Sequence, residues 1–272
     1  RRRCDRRPEP RLAGRDRYAA GTRPRTPTMA AKKSPPDSIE PARALALLTN
    51  AASPAHRAGL ARYGIPDTHA LGVPMREIQA LGKRIGRQPA LAPPLWDSGI
   101  YEARLLVAFV ADPTQLTVTQ MDRWCRQFDN WAVCDTLCLH LFDRSPHAWG
   151  RIDAWARRRG EFEKRAAFAL LAGLAVHDRH TPDAPFLGGL THVDAAAGDA
   201  RNFVSKGVSW ALRAIGHRNA ALHAEAITHA SALAASDDPA RRWVGKDALR
   251  DLGRATVRAK VVKSTRGRPK KA

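Results

Sequence analysis

The chain has 272 residues, a formal net charge of +20 and a hydrophobic fraction of 44%. A chain of this length can bury a substantial core. Charged residues interrupt every apolar run, so none approaches the roughly 18 apolar residues of a membrane span. No apolar segment of the kind found in secretory signals follows the basic N-terminus. We therefore expect a cytoplasmic protein.

The positive charge is concentrated at the two ends of the chain. Residues 1–33 hold 12 Lys or Arg and 3 Asp or Glu, and residues 258–272 hold 7 Lys or Arg and no acid. The residues between these ends carry a net charge of only +4. Basic tails on a mildly basic body favour a polyanionic partner, most simply nucleic acid. A high-GC genome is the alternative source of the N-terminal arginines.

The sequence predicts three segments. Residues 1–37 are rich in Arg, Pro, Gly and Thr and lack apolar periodicity, which predicts a disordered basic tail. Met29 is a candidate translation start, in which case residues 1–28 would not be translated. Residues 38–255 carry a periodic helical pattern and predict one folded domain. Residues 256–272 predict a second disordered basic tail.

Between the tails, apolar residues recur with the three- and four-residue spacing of amphipathic helices. Breaks fall at helix-start sequences, such as the capping box over 117–120 and Asp238-Pro239. About eleven or twelve helices, in pairs roughly every 35 to 40 residues, predict an all-α solenoid of HEAT-like repeats with a concave face. The predicted helices span 43–60, 74–85, 100–110, 119–128, 131–142, 149–159, 162–177, 187–197, 203–215, 222–234 and 241–252.

The four cysteines are too few for a disulfide framework in a chain of this length. Cys134 and Cys138 stand four apart on a predicted helix near His140, but a zinc site would need a second close pair elsewhere. Together with Cys4 and Cys125, they are predicted to be reduced thiols, mostly in the core. We expect neither a metal ion nor an organic cofactor.

The first candidate site lies between Phe128 and Cys138. Trp131 and Asp135 are four residues apart, so a helix places them on one face, one turn from each other. An aromatic ring beside a carboxylate can stabilise a cation, because the ring face is negative and the carboxylate is fully charged. A core tryptophan beside a solvated or capping aspartate is the alternative, and this pair alone does not decide between the two interpretations.

Three further segments supply aromatic and basic residues that suit such a site. Arg165 lies at the start of a very apolar helix, and Tyr63 precedes a Gly-Ile-Pro turn. On another helix, two aromatic residues seven apart share a face with two basic residues. These four residues are Phe203, Trp210, Lys206 and Arg213. A place in the core is the alternative for the two aromatics. Packing, in the core or at the surface, is predicted for Trp96, Trp124, Trp149, Trp155 and Trp243.

Taken in chain order, these segments resemble the DNA alkylation repair family of AlkD-type glycosylases over roughly residues 45 to 255. The W-x-x-x-D element of that family matches Trp131 and Asp135. The remaining matches, from an A-R-Y element to a second tryptophan, are Tyr63, Arg165, Phe203 and Trp210. The chain departs from the family pattern at Ala132, Cys134 and Ser209, which leaves its lesion range open, bulky adducts included.

The resemblance implies HEAT-like repeats and a glycosylase that removes cationic alkylpurines, such as 3-methyladenine and 7-methylguanine, from duplex DNA in base excision repair. It implies that Asp135 stabilises the oxocarbenium-like sugar and orients water, while Trp131 and Trp210 hold the cationic nucleoside. Arg165 would grip a phosphate. The other predicted DNA contacts are Tyr63, Phe203, Lys206 and Arg213. We expect a monomer in the bacterial cytoplasm or nucleoid.

Two other functions stay open at this point. One is a solenoid that binds damaged or distorted DNA without catalysis, which the same basic residues would serve. The other is a protein-binding HEAT adaptor, which gains nothing from the ordered set of aromatic and charged residues.

The C-terminal segment contains Arg-Gly-Arg-Pro, which resembles the core of an AT-hook. An extended Arg-Gly-Arg lies in a narrow A·T minor groove, whose negative potential attracts arginine. Arg266 and Arg268 are therefore candidate DNA contacts that would hold the protein on DNA without specifying a lesion. A basic tail without this function is the alternative.

Overall fold

The computed structural model describes residues 38–266, and within them it has fourteen α-helices and no strand. The all-α prediction is confirmed. The helices are α1 (Pro41–Asn50), α2 (Pro54–Ala58), α3 (Met75–Ile85), α4 (Ala92–Asp97), α5 (Tyr101–Val110), α6 (Val118–Arg126), α7 (Trp131–His140), α8 (Ala148–Ala156), α9 (Glu161–His177), α10 (Asp183–Ala196), α11 (Asn202–Gly216), α12 (Ala220–Ala234), α13 (Pro239–Leu252) and α14 (Ala255–Arg266).

Side chains at the helix starts define several of these boundaries. Thr117 accepts the Gln120 N–H at 3.1 Å before α6, and Asn130 accepts the Val133 N–H at 3.0 Å before α7. Asp238 accepts two N–H groups at the start of α13. Each bond satisfies a donor that the first turn of a helix leaves free. The capping box and the Asp238-Pro239 start predicted from the sequence are therefore present.

Helices α2 and α4 differ from the predicted pattern. The segment predicted as one helix over 43–60 is divided, because Pro54 begins α2 and Ser53 caps it by accepting the His56 N–H at 3.2 Å. Helix α4, which contains Pro93 and Pro94, is absent from the predicted helices. Both prolines lie in its first turn, where a missing N–H costs no hydrogen bond.

The prediction of a disordered tail from residue 256 is also wrong, because α14 continues to Arg266. Val257 and Val261 are four apart and buried, and α14 packs against α12 and α13. These two valines give the basic segment an apolar stripe that fixes it to the body. The predicted tail over 1–37, and residues 267–272, lie outside the described residues.

Helix α9 is the centre of the packing and contacts α7, α8 and α11 most extensively. Every residue from Arg165 to Ala175 is buried, which explains why this stretch consists almost entirely of alanine and leucine. A helix buried on all sides has no polar face. Within residues 38–266, no helix is long and apolar enough to cross a membrane.

Aromatic rings fill the core between the central helices. Trp96, Trp124 and Trp155 are fully buried, and the first two stack with ring centroids 5.1 Å apart. Trp149 packs partly buried against the core, whereas Trp243 is 43% exposed. The packing roles predicted for Trp96, Trp124, Trp149 and Trp155 are confirmed.

The cysteines of the described residues lie in the same core. Cys125, Cys134 and Cys138 are buried as free thiols, and each lies within reach of a carbonyl oxygen of α9. The prediction of core thiols is confirmed for these three residues, and Cys4 lies outside the described part. Among residues 38–266, no group of His, Cys, Asp or Glu is arranged to hold a metal ion.

Candidate active site

An open cleft of about 530 Å³ lies where four separate segments of the chain meet. The first is a 3-10 turn, Ala61–Tyr63, between α2 and α3. The others are the starts of α7, α9 and α11. The lining residues are Arg62, Tyr63, Gly64, Trp131, Arg165, Asn202, Phe203 and Lys206. The structure thus brings together five residues that the sequence analysis singled out from distant positions.

The 3-10 turn is bonded to α7 and lies close to α11. The Trp131 Nε1–H donates to the Tyr63 carbonyl oxygen at 2.8 Å. Gly64 adopts a φ of 68°, in the left-handed region, and a Cβ there would come within 3.3 Å of the Phe203 ring. The Tyr63 ring stays 54% exposed, with the Arg62 guanidinium 4.8 Å from its centroid. The turn therefore presents an aromatic ring and a cation to solvent at the edge of the cleft.

Asp135 is one turn into α7 and faces α9 rather than open solvent. The Arg165 Nε donates to Asp135 Oδ1 at 2.8 Å, and the Arg165 Nη2 donates to Oδ2 at 2.7 Å. The side chains of Asp135 and Arg165 are only 16% and 8% exposed, respectively. Bidentate pairs of this type are the strongest carboxylate–arginine contacts, because two charge-assisted bonds act in parallel. Asp135 thus lies behind the cleft wall, held through Arg165.

Arg165 and Glu161 hold the first turn of α11. The Arg165 Nη1 donates to the Phe203 carbonyl oxygen at 2.7 Å, and the Phe203 N–H donates to Glu161 Oε1 at 3.2 Å. The Phe203 ring packs against Phe162, with ring centroids 5.2 Å apart. The position of Phe203 in the cleft is therefore set by three residues of α9.

Burial and charge act in opposite directions on the carboxyl group of Asp135. Burial raises its pKa above the usual range, because removal from water disfavours the charged form. The hydrogen bonds and positive charge of Arg165 work against this rise. Arg165 therefore limits the rise in the pKa of Asp135 that burial causes.

The model of a family described as DNA alkylation repair enzyme matches residues 44–252. The chain belongs to this family. A solved structure with a TM-score of 0.65 covers 79% of this chain and 96% of its own at 17% identity. It represents a new family of proteins related to the HEAT-like repeat DNA glycosylases, with affinity for branched DNA structures. The likeness shows a HEAT-like helical repeat fold. No curated protein sequence matches the chain.

Two residues that carry the resemblance to the DNA alkylation repair family lie away from the cleft or deeper in the fold. Trp210 is partly buried against the core and does not line the cleft. It is seven residues from Phe203, which places it about 10 Å further along α11. Asp135 reaches the cleft only through Arg165.

Arg213 and the tail arginines are also outside the cleft. The Arg213 Nε donates to the Ser209 carbonyl oxygen at 3.3 Å and lies 3.7 Å from Asp247 Oδ2 on α13. Arg266 ends α14, but its side chain, like the whole of Arg268, is outside the described part. Lys206 is exposed and does line the cleft.

Four residues of the candidate site were not predicted from the sequence. Arg62 and Asn202 line the cleft next to predicted residues, so their position in the sequence was the available signal. Gly64 gave a weaker signal as part of a turn. Glu161 acts through a bond to the main chain of another helix, and no sequence pattern marks such a bond.

Proposed function

We propose that this member of the DNA alkylation repair family hydrolyses the N-glycosidic bond of cationic alkylated purines in duplex DNA. The observation that carries the proposal is a carboxylate, Asp135, held by an arginine at a cleft lined with aromatic rings and cations. The chemistry needs a negative group near a developing sugar cation, aromatic faces for a cationic base, and cations for the phosphates.

In the proposed reaction, alkylation at N3 or N7 places a positive charge on the purine and makes it a good leaving group. The C1′–N bond breaks, and its electron pair neutralises the departing base. Asp135 stabilises the resulting oxocarbenium-like sugar. Water adds to C1′ and loses a proton to solvent, which leaves an abasic site. No cofactor is needed for these steps.

The residues that line the cleft have roles in this proposal. Trp131 and Phe203 supply rings for the nucleoside, and Tyr63 contacts it or the opposite strand. Lys206 and Arg62 are exposed at the cleft and suit DNA phosphates. Trp210, predicted to hold the nucleoside, supports α11 from the core side in the free protein. The proposed active form is a monomer on duplex DNA.

A second candidate function is binding of damaged or branched DNA without base excision. Both Asp135 oxygens accept hydrogen bonds from Arg165, so neither is fully free for a sugar or a water. The structural relative described above has affinity for branched DNA. These two observations favour a binding protein in which the Asp135–Arg165 pair is structural.

Release of 7-methylguanine and 3-methyladenine from methylated duplex DNA separates the two candidates. We expect release by the wild type and a loss on the order of a hundredfold or more in Asp135→Asn, with DNA binding retained. Asp153→Asn is the matched control, because Asp153 is half-exposed in a surface pair with Arg157. Full activity in Asp135→Asn would remove Asp135 from catalysis. Tight binding of branched DNA with no release by the wild type would support the second candidate.

A further inference from the structure

Two charged residues of α9 hold the main chain of Phe203 from both sides. Glu161 and Arg165 are four residues apart, so they lie one above the other on the face of α9 that packs against α11. Glu161 accepts the Phe203 N–H at 3.2 Å, and Arg165 donates to the Phe203 carbonyl oxygen at 2.7 Å. We call this arrangement the α9 clamp.

Besides the main chain of Phe203, the α9 clamp holds the side chain of Asp135 on α7. Arginine has five N–H groups in a rigid planar fork. Three nitrogens of Arg165 are each committed to a protein acceptor, two of them to Asp135 and one to Phe203. The residue is only 7% exposed. Its geometry therefore fixes α7 and α11 relative to α9, and three of its five N–H groups are bonded to protein acceptors without a phosphate.

Glu161 is not explained by DNA binding. A carboxylate beside a cleft for DNA repels phosphates, so its charge weakens binding. Its position is explained by α11, whose N-cap residue, Arg201, provides no side-chain cap. Glu161 supplies the missing acceptor from a neighbouring helix and satisfies a first-turn donor next to the cleft.

We propose that Glu161 and Arg165 are positioning residues, which set the places of Phe203 and Asp135 instead of contacting DNA. The part concerning excision rests on the proposed glycosylase function. The clamp itself is a property of the free protein and can be tested without any activity.

The first test compares Glu161→Ala with Glu161→Gln by hydrogen–deuterium exchange over residues 201–206 and by base release. Glutamine keeps an acceptor for the Phe203 N–H but removes the charge. We expect faster exchange and release lowered tenfold to a hundredfold, as an order of magnitude, in the alanine variant only. Glu163→Ala is the matched control, because Glu163 lies on the same helix as Glu161 and pairs with Arg158 at 2.8 Å. Equal loss of release in both Glu161 variants would overturn the positioning role, since the charge itself would then be required.

The second test measures how DNA affinity depends on salt in Arg165→Gln, Arg165→Lys and Lys206→Gln. Each lost phosphate contact reduces the slope of log K against log salt by about 0.9. We expect this reduction for Lys206→Gln and an unchanged slope for both Arg165 variants, with release that is lowered but still measurable in Arg165→Lys. The acid limb of the pH–rate profile should also move to higher pH in Arg165→Lys, since a single ammonium replaces the bidentate fork that lowers the pKa of Asp135 against the effect of burial.

The outcomes separate this inference from the proposed function. A reduced salt slope in the Arg165 variants would overturn it, because Arg165 would then contact phosphate. Exchange over 201–206 that is unchanged in Glu161→Ala would also overturn it. If the wild type releases no base, the glycosylase proposal fails, whereas the exchange and salt-slope results still decide whether the α9 clamp positions the cleft.

Discussion

Asp199 links the start of α11 to α9 next to the candidate site. Arg201 donates to it twice, at 2.8 and 2.6 Å, and the Lys164 Nζ lies 2.9 Å from Oδ2. These hydrogen bonds hold the pKa of Asp199 well below its usual range. Because Arg201 directly precedes α11, this ion pair supports the segment that carries Phe203.

The low pKa of Asp199 predicts how stability depends on pH. The pKa of Asp199 is lower in the folded than in the unfolded chain. Its ionisation therefore stabilises the fold at pH values above the pKa that it has in the unfolded chain. This contribution is lost as the pH falls through the acidic range. We expect Asp199→Asn to lower the free energy of unfolding by about 1–2 kcal/mol at neutral pH, and by progressively less below about pH 4. Urea unfolding at a series of pH values measures this free energy, and the control Asp153→Asn should change it little.

The sequence predicted which residues meet in the cleft better than what they contact there. Tyr63, Trp131, Arg165 and Phe203 converge as expected, because each lies at a helix start or turn that the pattern located. The pairing of Arg165 with Asp135 depends on the packing of α7 against α9, and sequence spacing contains no information on that distance. Trp210 shares a helix with Phe203 but packs against the core. The sequence spacing does not predict this difference either.

At the level of helices, α12 and α13 approach each other closely at Gly245. A Cβ at Gly245 would come within 2.3 Å of the Ala234 nitrogen and 2.5 Å of the Ala230 carbonyl oxygen. Main-chain atoms cannot move aside as a flexible side chain can. The contact between these helices therefore requires glycine at this position of α13.

A pair of glycine substitutions tests this packing. Gly245→Ala should lower the free energy of unfolding by about 1–3 kcal/mol, because the two helices must separate. Gly150→Ala is the control, since Gly150 is exposed on α8 with nothing within 4 Å of its added Cβ. That variant should be more stable by about 0.4–1 kcal/mol, through the smaller entropy of its unfolded chain. Equal effects in thermal unfolding would contradict the close contact.

The helical pattern predicted the long elements and missed the short or unusual ones. The spacing of apolar residues located α5, α9 and α11 to within a few residues. Helix α4 was missed because its prolines resemble a break, and α14 because its charge obscures two buried valines. In both cases tertiary contacts stabilise a helix that the local composition does not predict.

At the level of the whole molecule, the charge is distributed unevenly between the body and its ends. The middle of the chain carries only +4 of the net +20. Helix α14 fixes the start of the C-terminal basic segment to α12 and α13. Non-specific DNA affinity should therefore come largely from the ends, and recognition of a lesion from the cleft.

The Arg-Gly-Arg-Pro sequence, which begins at the last residue of α14, gives a prediction about which DNA the C-terminal end prefers. If Arg266 and Arg268 enter the minor groove, the protein should bind A·T-rich duplex more tightly than G·C-rich duplex. Changing both to lysine keeps the charge but removes the flat guanidinium groups that fit a narrow groove. We expect this variant to lose the A·T preference while the salt dependence of binding stays close to that of the wild type. A preference that survives in the lysine variant would show that charge alone is responsible. Fluorescence anisotropy with two duplexes of equal length measures both quantities.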